Sequence, residues 1–262
     1  MAEQPRPRDV RGGLAMSQGR VPKGTKRGGE FESSPSAEST VETSSESVPD
    51  ELKKMMPHGT SETWSKIAPH LPPSAYMSGG TALTVHLLHR VSRDLDIFLE
   101  QPEDLKSLWT KFQEIGNART TQHDDATINC VIDDTRVQVL EAAKQKMVAP
   151  FITVGGIRIA SVDDIMATKL SAVIGRGELR DYFDIMKIEQ DRALMVEAGL
   201  SLLIMKFSPE EPDQYIMHAV KSLGFFDDIP DDPTLPVSRQ VIEKYWRARQ
   251  PALMKHIALF GG

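Results

Sequence analysis

Ser78-Gly-Gly-Thr-Ala-Leu-Thr-Val-His-Leu-Leu-His-Arg-Val-Ser-Arg-Asp-Leu-Asp-Ile-Phe98 is the stretch that decides the fold. A glycine pair, Gly79 and Gly80, opens a helix, and the helix leads into a strand bearing Asp94 and Asp96. Side chains alternate along a strand, so residues two apart share a face. Both carboxylates therefore point to one side. Like charges held together cost free energy unless a cation neutralises them. The flanking Leu95, Ile97 and Phe98 mark a buried strand, where bare carboxylates are costly. A divalent-metal site that handles a nucleoside triphosphate satisfies the pair. Two solvated strand-end carboxylates are the plainer alternative.

The glycine pair sits where the chain must turn tightly. Without a Cβ, its backbone N–H groups can approach a phosphate at the start of the following helix. Ser78 and Thr81 add hydroxyl donors. An ordinary strand–helix turn would use the same residues.

Outward from this stretch, residues 75–77 read as a short strand, 81–88 as a helix and 95–99 as the Asp-bearing strand. Residues 102–115 read as a helix, with apolar Leu105, Leu108, Trp109, Phe112 and Ile115 on one face. Residues 126–132 and 136–142 form a hairpin across Asp133-Asp134-Thr135. A further pair of short strands flanks Gly155-Gly156, and everything after Ser161 reads as helix. The expected fold class is α+β: a small mixed sheet with helices, followed by a helical C-terminal part. The expected divisions are a disordered tail over 1–50, a core over 51–160, and helices over 161–262 that complete the site. The tail is basic, then acidic and Ser/Thr-rich, with no apolar periodicity. It reads as a solvated tail, with a basic arm for RNA or a partner as the sharper alternative.

A two-metal site needs a third acid. Glu141 closes the strand Arg136-Val-Gln-Val-Leu-Glu141 and is the candidate, because Asp133 and Asp134 sit in the turn, where aspartate serves turn geometry. Lys169 lies mid-helix among Ile165, Met166, Leu170 and Val173. It is either a snorkelling rim lysine or an ammonium that reaches triphosphate oxygens. Arg176 falls in the loop between Gly175 and Gly177. Arg180 and Asp184 are one helical turn apart and can pair, with Asp181 beside them. These charges form either a surface ion pair or the wall of a site. His86 and His89, three apart, lack a third metal ligand in register.

Composition narrows the class. At 262 residues with 40% hydrophobic content, the chain can bury a substantial core, and no apolar run approaches a membrane span. Cys130 is the single cysteine, so no intramolecular disulfide or thiolate zinc site can form, and a cytoplasmic location is the default expectation. A net charge of −6 argues against an overall nucleic-acid-binding surface but not against a local basic groove.

Taken in order, Gly79-Gly80-Thr81-Ala82-Leu83, His89-Arg90, Ser92-Arg93-Asp94-Leu95-Asp96-Ile97-Phe98, Asp164 with Lys169-Leu170, and Arg176 with Arg180-Asp181-Tyr182-Phe183-Asp184 resemble the AbiEii/AbiGii family of nucleotidyltransferase toxins, of the DNA polymerase β-type superfamily. The resemblance runs from about residue 76 to 188. It implies a polymerase β-like nucleotidyltransferase core that moves an NMP from an NTP to an acceptor hydroxyl with Mg²⁺. Gly79, Gly80 and Thr81 would hold phosphate, Asp94 and Asp96 would bind Mg²⁺, and Lys169 would contact the triphosphate. Asp184 or Asp181 would complete the site from the helical side. Many superfamily members have Asp as the third acid, where this chain offers Glu141. The kinship also implies a toxin–antitoxin or phage-defence setting, an antitoxin partner and the tRNA 3′ end as acceptor. Transfer to a protein or small molecule, or a binding-only member, are the alternatives.

Overall fold

In the computed structural model, which describes residues 47–57, 59–175 and 177–260, the hairpin turns on two aspartates. Asp133 (φ 46°) and Asp134 (φ 66°) both occupy the left-handed region. A two-residue hairpin turn needs that region at both central positions, and Asp tolerates it. Strands β4 (Thr127–Ile132) and β5 (Thr135–Glu141) run from this turn, with Ile132 opposite Thr135. The edge strand β3 (Arg119–His123) pairs antiparallel with β4 across a bulge between Thr120 and Gln122. β3 was not expected from sequence, because Arg-Thr-Thr-Gln-His is polar throughout and shows no alternation.

On its other side β5 pairs in parallel with β2 (Leu95–Leu99), and β2 pairs antiparallel with β1 (Ala75–Ser78). β1 runs parallel to β7 (Ile157–Ile159), which forms a hairpin with β6 (Ile152–Val154). Among the described residues the strands make one mixed sheet, in the order β3-β4-β5-β2-β1-β7-β6. One face carries Leu95, Ile97, Val137, Val139 and Ile128, all buried. The other carries a row in register: Ser78, Asp96, Gln138, Asn129 and Gln122.

The helices are α1 (Asp50–Lys54), α2 (Thr60–Ile67), α3 (Gly79–Leu87), α4 (Asp104–Glu114), α5 (Val162–Gly175), α6 (Leu179–Arg192), α7 (Val196–Phe207), α8 (Pro212–Leu223) and α9 (Arg239–Phe260). α3 starts directly from β1 and packs on α5 and α6. α5 lies against α7 and α8, around Leu170, Leu203 and Val220. Trp246 of α9 is fully buried and donates from its indole N–H to the Tyr182 carbonyl at 3.2 Å. Among the described residues, no helix is long and apolar enough to cross a membrane.

The sequence places the start of order near residue 52. Packing begins earlier, because Val48 is buried against Gly155 and Trp64, and the Trp64 indole N–H donates to the Gly155 carbonyl at 3.1 Å. Most of the tail lies outside the described residues. A chain that begins at Asp50 should therefore unfold more readily than one that begins at Ser47, by the ~1.5–3 kcal/mol that burial of a valine contributes. Denaturant unfolding of the two chains measures the difference, and equal midpoints would remove Val48 from the core.

Candidate active site

The floor of the cleft is the end of the sheet where β1 stops and β2 starts. Asp96 stands in register with Ser78 on one side and Gln138 on the other. Asp94 immediately precedes β2, its backbone fixed from within the fold: the buried Thr81 hydroxyl donates to the Asp94 carbonyl at 2.5 Å and accepts from the Ser92 hydroxyl at 2.8 Å. Thr81 was expected to hold phosphate, but its hydroxyl is buried and turned inward. It holds the loop that delivers Asp94.

Gly79 and Gly80 line the cleft, and each is glycine for a steric reason. Gly79 has φ 78°, and a Cβ there would overlap the Asp96 carboxylate. A Cβ at Gly80 would overlap the Arg90 guanidinium. The first N–H groups of α3, which have no intrahelical partner, begin at this glycine pair. The buried Ser78 hydroxyl has no hydrogen-bond partner among the described residues.

Behind the cleft lies a buried cluster of charges. Asp184 is fully buried, and Arg90 grips it with two bonds, Nε at 2.6 Å and an NH2 at 2.8 Å. His89 Nε2 meets the same carboxylate at 2.8 Å, its ring stacked on Phe183. Lys169 Nζ stands 2.8 Å from Asp184 and 2.6 Å from Asp181. Burial alone would raise the Asp184 pKa, but the Arg90 and Lys169 charges outweigh it and hold the carboxyl well below its ordinary range. Burial likewise opposes the Lys169 charge, and Asp181 and Asp184 overcome it, so the ammonium titrates above its ordinary value.

Lys169 is therefore no snorkelling rim lysine. It lines the cleft while anchored to two buried carboxylates. Arg180 does not pair with Asp184, one turn away. It reaches Glu178 at 2.5 Å and Asp94 at 3.5 Å, because it points into the cleft while Asp184 points inward. Asp181 lines the cleft, with one oxygen on Lys169 and the other without a partner among the described residues. Arg176 lies outside the described residues.

Glu141 is not brought to this cluster. It pairs with Leu99 at the far end of β2, and it lies three residues beyond Gln138, on the opposite face of β5 from the row that contains Asp96. Its carboxylate accepts from the Ala143 N–H at 3.2 Å. Glu141 was expected as the third acid beside Asp94 and Asp96, but it shares a face with Val137 and Val139, on the core side, away from the aspartates. Among the described residues, no three His, Cys, Asp or Glu side chains gather as a metal-binding group. His86 is used structurally, its Nε2 2.8 Å from the Ala160 carbonyl. Arg90 carried no role in the sequence reading. Its signal was its place beside His89 among the residues of the family resemblance.

The resulting cleft holds about 580 Å³ and is lined by Gly79, Gly80, Asp94, Asp96, Gln138 and Arg136, with Lys169, Arg180 and Asp181 on the helical wall. Residues 66–154 match a family model described as "Nucleotidyl transferase AbiEii toxin, Type IV TA system". An uncharacterized Aquifex aeolicus protein, aq_aa25, is 27% identical over 174 residues, which span 65% of this chain and 80% of that protein. Among solved structures, JHP933 from Helicobacter pylori aligns over 82% of this chain and 97% of its own, at 16% identity and a TM-score of 0.47. MenT4, a nucleotidyltransferase toxin from Mycobacterium tuberculosis H37Rv, aligns over 79% and 86%, at 15% identity and a TM-score of 0.45. Over those residues the chain is similar to the AbiEii nucleotidyltransferase toxins.

Two outcomes follow from the charge cluster. Lys169→Met would leave buried carboxylates without their ammonium, and loss of one partner of a buried pair costs about 3–5 kcal/mol. A melting temperature equal to wild type would return Lys169 to the rim. Asp184→Asn should show a particular pH dependence. The native carboxyl titrates below its unfolded value, so its stabilisation is complete above the ordinary carboxylate range and is lost as pH falls through the folded pKa. The gap between Asp184→Asn and wild type should be widest near neutrality and should close in acid, as measured by urea unfolding across pH.

Proposed function

We propose that this protein is an AbiEii-type nucleotidyltransferase, the toxin of a toxin–antitoxin pair with a phage-defence role, which transfers an NMP from an NTP to the 3′ end of tRNA with Mg²⁺. The observation that carries the reading is the Asp94/Asp96 pair on the cleft floor, beside the glycine start of α3. The donor set suits the cation. Mg²⁺ prefers oxygen ligands and is commonly held by one or two carboxylates plus substrate phosphates. Asp94 and Asp96 would hold it. When bound, it would neutralise charge on the transferring phosphoryl group and on the leaving pyrophosphate.

The chain's own groups do the rest. The opening N–H groups of α3 hold phosphate oxygens, as helix starts do. Arg180 bridges Glu178 and Asp94 at the cleft, and its guanidinium would face the triphosphate of a bound nucleotide. Lys169 engages two carboxylates and keeps a third N–H for a phosphate oxygen. The lining balances four carboxylates, Asp94, Asp96, Glu178 and Asp181, against Arg90, Arg136, Lys169 and Arg180. Such a cleft accepts a ligand that carries both signs, as a metal–nucleotide complex does. The tRNA acceptor and the antitoxin partner rest on the family, and a cytoplasmic location goes with both.

Incubation of the protein with each labelled NTP, Mg²⁺ and total RNA should label RNA of tRNA size at its 3′ end. Asp94→Ala and Asp96→Ala should abolish labelling while leaving the fold intact. Full activity in both variants would overturn the cation assignment. Label in protein or in small molecules would move the acceptor, and no label with any NTP would favour a binding-only member.

A further inference from the structure

The position that faces Asp96 across the parallel β2–β5 pair is held by an amide, Gln138, rather than by an acid. Its orientation is fixed from the edge of the sheet. Gln122 Nε2 donates to Asp124 Oδ2 at 2.8 Å, Asn129 Nδ2 donates to Gln122 Oε1 at 2.8 Å, and Gln138 Nε2 donates to Asn129 Oδ1 at 2.9 Å. The Ala126 N–H and the Gln122 amide hold the Asp124 carboxyl below its ordinary range, so at neutral pH it can only accept. An acceptor at one end sets the direction of every amide in the row: Gln122 must present nitrogen to Asp124 and oxygen to Asn129, and Asn129 must do the same to Gln138. The Gln138 nitrogen is thereby committed to the β4 side. Its carbonyl oxygen is the end left for the cleft, which Gln138 lines together with Asp94 and Asp96.

We propose that Gln138 Oε1 is the third protein ligand of the divalent-cation site, a neutral oxygen where a third carboxylate was expected. The inference rests on the cation reading of Asp94 and Asp96. Neighbouring strands lie about 4.8 Å apart, so side chains in register can share one ion. Amide carbonyls are accepted ligands of hard cations. Two negative charges instead of three make a weaker site in the empty protein, so the cation arrives with the nucleotide whose phosphates complete its shell. Gln122, Asn129 and Asp124 act through Gln138 and are positioning residues.

The test is Mn²⁺ binding by the full chain, followed by electron paramagnetic resonance with a non-hydrolysable NTP present. Asp96→Asn should abolish binding. Gln138→Leu should weaken it by about tenfold or more, the lower end of what loss of a residue that merely supports a metal ligand costs. Gln138→Glu adds a charge and should tighten it several-fold, and it serves as the deciding variant should Gln138→Leu melt early. Glu141→Gln should bind as wild type. If Asp96→Asn loses Mn²⁺ while both Gln138 variants bind like wild type, Gln138 is no ligand and the cation reading stands. If wild type itself binds no Mn²⁺, or Asp96→Asn binds normally, both fall.

Discussion

A single buried carboxylate, Asp184, ties the two halves of the site together. Arg90 comes from the loop after α3, Lys169 from α5, and Asp184 itself from α6. A charge at zero exposure is tolerated only when it is paired and hydrogen-bonded on every side. That requirement fixes the distance between the helical wall and the sheet. Buried ion pairs add little net stability compared with apolar packing, but they cannot be satisfied in any other arrangement. The cluster is therefore better understood as a ruler than as glue. With it in place, Lys169 and Asp181 meet the cleft from one side while Asp94 and Asp96 meet it from the other.

The glycine pair shows how one sequence feature can serve several constraints. The reading from sequence gave it to phosphate. The packing shows an additional need: Asp96 fills the space beside Gly79, and Arg90 fills the space beside Gly80. The same two residues thus connect the cleft carboxylate with the buried cluster. Substitution at either would move a charged group before any ligand arrives.

Where apolar periodicity or turn chemistry was strong, the sequence was a good guide. β2 spans the expected residues, and the hairpin turns on the expected aspartates. The cleft pair, Asp94 and Asp96, was visible because strand alternation is local. Contacts between distant strands were not visible. Register between β2 and β5 depends on how a parallel pair slides into place, and a residue three positions along changes face. That is why Glu141 looked like a ligand and Gln138 drew no attention. The roles of Arg90 and His89 were hidden for a similar reason, since their partner lies 94 or 95 residues away in the chain. β3 carried no apolar signal because both of its faces are exposed.

The contrast between the ends of the sheet has a consequence for motion. Opening the cleft at α6 means breaking three contacts to Asp184 inside an apolar core, where Tyr182 and Trp246 on the other side of the helix also resist. Such an element opens only when the whole unit does, so its amide protons exchange with solvent at the rate of global unfolding. β3 has no buried side chain and is held from one side alone. It belongs at the opposite end of the scale, where local opening and hydrogen exchange come before global unfolding. The rigid wall and the yielding edge thus meet across a single cleft.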